Sequence, residues 1–224
     1  MRRLVVAVDG PAGAGKSSAS RALAGRIGYA YVDTGAMYRA VGVIARERGV
    51  PLDDDDALAH LVDALRFERR DGGAGLAVDG ADLSEAIRRS DAGELASRVS
   101  TRPVVRERLV ALQRELGAGG GVVMEGRDIG TVVFPRADVK LYLTADPAVR
   151  ARRRADELRA RGETVDEAAL ARDIAARDRR DSVRSHSPLR PAADALQLDT
   201  SAYTLEEVVA HMERAVVACL ADRG

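Results

Sequence analysis

The sequence predicts an α/β fold, a three-layer core built on a central parallel sheet of five strands, with one lobe inserted into it and a helical lid. Three observations predict this. Five short apolar runs bounded by turn residues recur along the 224 residues: Leu4 to Val8, Tyr29 to Val32, Val122 to Met124, Val139 to Leu143 and Ala195 to Leu198. Runs without apolar/polar alternation suit strands of a parallel sheet covered on both faces. Helical patterns lie between them, and the chain is longer than one typical domain yet short of two, so one core carrying insertions is expected.

In chain order, Leu4 to Val8 leads through a glycine-rich turn into a helix over Ser17 to Ile27. The second strand leads into a helix over Ala36 to Arg48, with Asp33 or Thr34 as its cap and Gly49-Val50-Pro51 as its stop. Asp53 to Asp56 look like an acidic site, but they precede the helical apolar positions Leu58, Leu61, Val62 and Leu65, so capping and a favourable N-terminal charge explain them better than a metal. Phe67 to Val78, interrupted by the glycines around Gly72 and followed by Asp79-Gly80, reads as a small antiparallel hairpin. Pro103 opens a helix running to about Leu116. Asp146-Pro147 opens a charged helix that Arg161-Gly162 breaks, and a second helix follows from about Asp166. The expected division is a core of residues 1–35, 106–145 and 182–224, an inserted lobe over 36–105, and an arginine-rich lid over 146–181.

Lys plus Arg and Asp plus Glu both total 35. No global field therefore exists to hold a long polyanion, and no nucleic-acid partner is expected. Only Lys16 and Lys140 among the bases are lysines. The one cysteine, Cys219, excludes an internal disulfide and a cysteine-based zinc site. Asp9 interrupts the first apolar run, and no run reaches membrane-spanning length. A cytoplasmic protein, without a membrane partner and monomeric, is expected. His60, His186 and His211 carry no evident pattern, and ordinary surface or packing roles are expected for them.

Gly10-Pro11-Ala12-Gly13-Ala14-Gly15-Lys16-Ser17 matches G-x-x-x-x-G-K-[ST] between an expected strand and an expected helix. In such a P-loop, backbone N–H groups and the helix N-terminus cradle phosphates, the lysine reaches the β- and γ-phosphates, and the serine hydroxyl meets Mg²⁺. Residues Gly10 to Ser18 are therefore the expected ATP site, with Lys16 catalytic and Ser17 the metal contact. No N-K-x-D base-reading motif of a switch GTPase is present. Arginines instead crowd segments able to close over two phosphorylated ligands, at Arg39, Arg106, Arg127, Arg150 to Arg154 and Arg177 to Arg184. Transfer between two anions needs that positioning and charge. Glu125-Gly126-Arg127-Asp128 follows the third apolar run directly, where ligands of an open α/β sheet bind.

Over nearly its whole length the chain resembles the bacterial cytidylate kinases. The resemblance rests on Asp9 to Ser17, on Asp33-Thr34-Gly35-Ala36-Met37-Tyr38-Arg39, and on Gly126 to Pro135. Arg177-Asp178-Arg179-Arg180-Asp181, Arg184 and Pro191-Ala192-Ala193-Asp194-Ala195 extend it. It implies an enlarged nucleoside-monophosphate lobe over 36–105 and phosphorylation of CMP, and of dCMP, by ATP with Mg²⁺. It also implies that Ser97, Arg106 and Asp128 face the cytosine. A carboxylate accepts from the exocyclic amine but meets a carbonyl in uracil, which favours CMP over UMP. By the same resemblance Arg39, Arg127 and Arg184 grip the acceptor phosphate, Thr34 keeps the hydroxyl of a substrate-binding serine, and Arg177 and Asp181 meet the ribose. Arg153 and Arg154 resemble catalytic lid residues, although any of the lid arginines could serve. The family often has Asp-Ser-Gly at Asp33-Thr34-Gly35 and Asp-Gly-Arg-Asp at Glu125-Gly126-Arg127-Asp128, so the contact made by the extra methylene of Glu125 is open. The alternatives are a kinase for another small acceptor such as UMP, AMP or shikimate and, behind it, an ATPase or switch module.

Overall fold

A computed structural model describes residues 3–69, 76–89, 91–183 and 187–222. Its core is a five-stranded parallel sheet, ordered β2-β6-β1-β7-β8. The strands are β1 (Val5–Asp9), β2 (Ala30–Asp33), β6 (Val122–Glu125), β7 (Val139–Thr144) and β8 (Leu196–Asp199). Each overlaps an apolar run of the sequence, and most extend a residue further because the backbone ladder continues past the apolar side chains into Asp9, Asp33 and Glu125. In register, Asp33 lies opposite Glu125 and Val8 lies opposite Glu125 on the other side. Three acidic residues thus sit at the carboxyl end of adjacent strands. The fifth run departs from expectation: β8 is an edge strand, and Leu196 is half exposed rather than buried.

Helices α1 (Lys16–Ile27) and α8 (Leu205–Ala221) cover one face of the sheet. There Leu23, Val123, Leu141, Val209 and Met212 form a dry cluster, joined at its edge by Cys219. On the other face α5 (Pro103–Gly117) and a π-helical turn, Ile129–Val133, pack Val110, Ile129 and Val133 onto Ala7 and Met124. That turn was not legible in the sequence. Its backbone is pulled inward by Asp9, which accepts from the amides of Ile129 and Gly130 at 2.8 and 2.7 Å.

Between β2 and α5 lie α2 (Thr34–Glu47), α3 (Asp55–Ala64), a small sheet and α4 (Ala92–Val99). They share their own apolar cluster, centred on Met37, Val41, Leu58, Leu61, Val99 and Leu109. The caps follow the sequence: Asp33 accepts from Ala36 N at 2.9 Å, and Asp54 from Ala57 N at 2.9 Å. The small sheet has three strands where two were expected: β3 (Phe67–Arg69), β4 (Leu76–Val78) and β5 (Ala81–Asp82). Asp79-Gly80 is the two-residue turn between β4 and β5, with both residues at positive φ, the geometry such a tight hairpin prefers. The expected first turn lies mostly outside the described residues. Beyond β7, α6 (Pro147–Arg159) and α7 (Glu167–Val183) pack on each other as a helical hairpin. No helix among the described residues is long and apolar enough to cross a membrane.

Candidate active site

The loop between β1 and α1 is shaped by steric necessity. Gly10 has φ 144°, and a Cβ there would sit 2.0 Å from the Leu143 carbonyl oxygen, so only glycine allows the loop to turn across β7. The Lys16 ammonium lies inside the loop, donating to the Pro11 carbonyl at 2.7 Å. Burial pushes its pKa down to about 7, with the field of Arg127 adding to the shift and Glu125 and Asp9 opposing it. Burial likewise pushes the Asp9 carboxyl up to about 6, against the two amide donors of the π turn. Ser17 and Ser18, in the first turn of α1, are exposed, and the Ser17 hydroxyl lies beside the Glu125 carboxylate, whose ionisation it favours.

Around the loop, three elements deliver cations. Arg39, one turn into α2, pairs with Asp33 at 2.8 Å. Burial works against ionising Asp33, but Arg39 and the Ala36 amide outweigh it and hold the carboxyl below its usual range. Arg127, after β6, lies 3.4 Å from Asp181 of α7, and Arg177 sits one turn before Asp181. Burial lowers the pKa of Arg177 to about 10, and Arg127 and Arg39 add repulsion that Asp181 only partly offsets. Arg127 Nε, Arg177 Nε and Asp178 Oδ1 are buried without a hydrogen-bond partner. Buried polar atoms in that condition are rare in native proteins and call for an explanation. Lys16, Arg39, Arg127 and Arg177 therefore form one cationic group, in which Arg127 and Arg177 work against the charge of Lys16, and Arg127 and Arg39 against that of Arg177.

Next to it, Arg106 of α5 and Asp128 form a buried ion pair, their side chains 6% and 8% exposed. The Arg106 guanidinium also lies over the Tyr38 ring, 5.7 Å from its centroid. Ser97, at the end of α4, is buried and accepts from Arg180 Nε at 3.3 Å. Arg180 thus joins the lid helix to the inserted lobe, a role that nothing in its arginine-rich segment distinguished. Thr34 donates to the Glu125 carbonyl at 2.8 Å. Arg184 and His186 lie outside the described residues.

The lid arginines have separate employments. Arg150 donates to the carbonyls of Ala12 and Ala145, both at 3.0 Å, and pairs with Asp178. Arg153 donates to Thr200 Oγ1 and O at 2.9 and 2.7 Å, and Thr200 in turn donates to the Ala14 carbonyl at 3.1 Å. Arg154 pairs with Glu157 on the surface and does not reach the P-loop. Of the two residues expected to be catalytic in the lid, only Arg153 is placed beside the loop. Arg150, which sequence reasoning did not single out from its neighbours, is tied to it directly.

A family model described as Cytidylate kinase matches residues 6–217. The chain is 48% identical to a cytidylate kinase of Geobacter sp. (strain M21), over 99% of this chain and 97% of that protein. It is 49% identical to a cytidylate kinase of Pelotomaculum thermopropionicum, over 91% and 92% of the two chains. Among solved structures, an uncharacterized protein from Eubacterium ventriosum aligns over 96% of this chain and 99% of its own, with a TM-score of 0.52 at 11% identity, a likeness of fold alone.

Proposed function

The chain belongs to the cytidylate kinase family, and from that premise we propose that it transfers the γ-phosphoryl group of ATP to CMP and dCMP, giving ADP and CDP or dCDP. The observation that carries this reading is the buried Arg106–Asp128 pair beside the cationic group around Lys16. The ion pair suits a pyrimidine edge, and the cations around Lys16 suit two sets of phosphates.

In this reading the P-loop amides and Lys16 hold the ATP β- and γ-phosphates. An anionic oxygen of the CMP phosphate attacks the γ-phosphorus, the bond to the β,γ-bridging oxygen breaks, and ADP leaves with that electron pair. The acceptor oxygen is already anionic, so no general base is needed, which accords with the absence of any expected catalytic role for the histidines. Arg39, Arg127 and, from the sequence, Arg184 supply positive charge where negative charge gathers. Asp128 accepts from the cytosine amine, Arg106 donates to the ring, and Ser97 adds a hydroxyl at the edge of the base. Arg177 and Asp181 meet the ribose hydroxyls. Arg153 and Arg154 act from the lid, Arg154 after release from Glu157, as the lid closes and excludes water.

Among the described residues no group of three or more His, Cys, Asp or Glu side chains could hold a metal unaided. The donor set suits Mg²⁺ all the same, because that ion keeps several waters and takes its remaining ligands largely from substrate phosphates. Ser17 would hold it together with the ATP phosphates, with Glu125 behind Ser17. Bound there, Mg²⁺ would neutralise charge on the β- and γ-phosphates.

A cytoplasmic setting and a monomeric state are part of this proposal, as befits an enzyme that draws on ATP and free nucleotides. The test is ADP release measured with ATP, Mg²⁺ and each of CMP, dCMP, UMP, AMP and no acceptor. Turnover mainly with CMP and dCMP is expected. A preference for AMP, or turnover without an acceptor, would overturn the reading.

A further inference from the structure

Glu125 is buried at the carboxyl end of β6, with its carboxylate bonded by the Tyr31 hydroxyl and the Ser17 hydroxyl close beside it. Only Ser17 belongs to the phosphate cradle. Tyr31 lies two residues before Asp33 on the neighbouring strand β2, and its register partner is Val123. Paired residues of a parallel sheet point to the same side, as do residues two apart along a strand. Tyr31, Asp33, Val123 and Glu125 therefore share one face, the face covered by α1, whose first turn carries Ser17. From one step back along the sheet the phenol ring spans forward, and its hydroxyl meets the Glu125 carboxylate.

We propose that Tyr31 is a positioning residue for phosphoryl transfer: its hydroxyl holds the Glu125 carboxylate against Ser17, and so orients the serine oxygen toward the metal of the ATP complex. The inference rests on the reading of Ser17 as the metal contact. An aspartate at position 125 would draw the carboxylate back by one carbon–carbon bond, about 1.5 Å, out of reach of at least one of the two hydroxyls.

The environment keeps Tyr31 a donor. Burial and the facing Glu125 carboxylate push its pKa far up, so the phenol retains its proton. Arg21, one turn after Ser17 on α1, lies 5.1 Å from the Tyr31 ring centroid and holds the ring from above. On the carboxylate itself, burial and Asp33 raise the pKa, while Lys16 and the hydroxyls of Tyr31 and Ser17 oppose the rise. Loss of the phenolic hydroxyl would leave a buried carboxylate with one donor fewer. The simpler account of Tyr31 is that its ring fills the apolar cluster under α1, beside Leu23 and Val123. Phenylalanine preserves that filling, so Tyr31→Phe separates the two accounts.

The experiment is calorimetric titration of ATP, with Mg²⁺ and with EDTA, into wild type, Tyr31→Phe, Glu125→Asp and the double variant, alongside their melting temperatures. Tyr31→Phe should weaken ATP binding in Mg²⁺ by about three- to tenfold, the range for one hydrogen bond to a charged group, and leave binding in EDTA within roughly twofold. In the Glu125→Asp background the same change should add little. Equal losses with and without metal, an undiminished loss beside Asp at 125, or no loss in a metal-sensitive wild type would each overturn the proposal. A wild type whose ATP affinity ignores Mg²⁺ would instead overturn the metal reading, and this inference with it.

Discussion

Replacing Asp128 by Asn keeps the shape of the side chain and removes its charge, so it tests both tasks assigned to that carboxylate. The first is structural. Asp128 and Arg106 are both more than nine-tenths buried, and removing one partner of a buried pair costs about 3–5 kcal/mol when nothing replaces it. The amide still accepts one hydrogen bond, so the lower end of that range applies, equivalent to a fall in melting temperature on the order of 10 °C. The second task is recognition. Against the carboxylate, UMP places a carbonyl where CMP places an amine, leaving buried acceptors unpaired at about 1–3 kcal/mol each. An asparagine can donate to that carbonyl. The preference for CMP over UMP, expressed as the ratio of kcat/KM, should therefore shrink by about 10- to 100-fold. The KM for CMP should rise, while the KM for ATP stays within roughly twofold. Coupled ADP release with both acceptors, and melting curves of the free protein, supply the numbers. A variant that kept the full preference, or lost ATP and CMP affinity equally, would refute the placement of the base at Asp128.

Lys16 releases its proton near pH 7 when folded and near 10.5 when unfolded. The unfolded chain binds more protons between those values, so this lysine makes the free protein more stable as pH rises through that window. Phosphates bound beside it favour the charged form, so ATP binding at pH 8 should take up a proton, read by calorimetry in buffers of different ionisation enthalpy. Lys16→Met should abolish the uptake and depress kcat. Gly13 has φ 78°, and a Cβ there would lie 3.0 Å from Arg150 Cβ and 3.1 Å from its carbonyl oxygen. Gly13→Ala should therefore lower kcat/KM for ATP by at least about tenfold, given a left-handed cost of about 1–2 kcal/mol before the clash is counted. Arg154→Ala removes only a surface pair with Glu157 from the free protein, so melting should not move. A fall in kcat of about 10²- to 10³-fold is expected if the residue closes on the transferring group, and an unchanged kcat would assign that work to its neighbours.

What could be read from the sequence was what is contiguous. The strands are legible as apolar runs, the cradle as eight consecutive residues, and the caps as short polar stretches before helical patterns, Asp33-Thr34 and Asp53 to Asp56, from which the fold uses Asp33 and Asp54. Elements of few residues were not legible: β5 has two, and α4 is a helix of only eight whose buried positions Ala92, Ala96, Ser97 and Val99 are mostly small. The π turn at Ile129–Val133 exists because Asp9, some 120 residues earlier, captures its amides. The same holds for Arg150 on the Ala12 carbonyl and Arg180 on Ser97. Contacts of that range depend on the completed fold, and a run of arginines contains nothing to say which one points inward.

The cationic group around Lys16 shows why such a site resists reading from local rules. Burial and like charge both oppose ionisation of Lys16 and Arg177, and a sequence selected for stability alone would pair or replace them. The acids within reach are partly committed elsewhere: Asp9 to the π turn, Asp33 to the cap of α2, Asp178 to Arg150. These acids therefore leave the positive charge only partly compensated. An anion bound there relieves both desolvation and repulsion, so its binding free energy includes the release of strain that the free protein carries. Affinity for phosphate and the mutual repulsion of these cations then have one physical origin, and inorganic phosphate or ATP should raise the melting temperature more in the wild type than in Arg177→Ala, which has less repulsion to relieve.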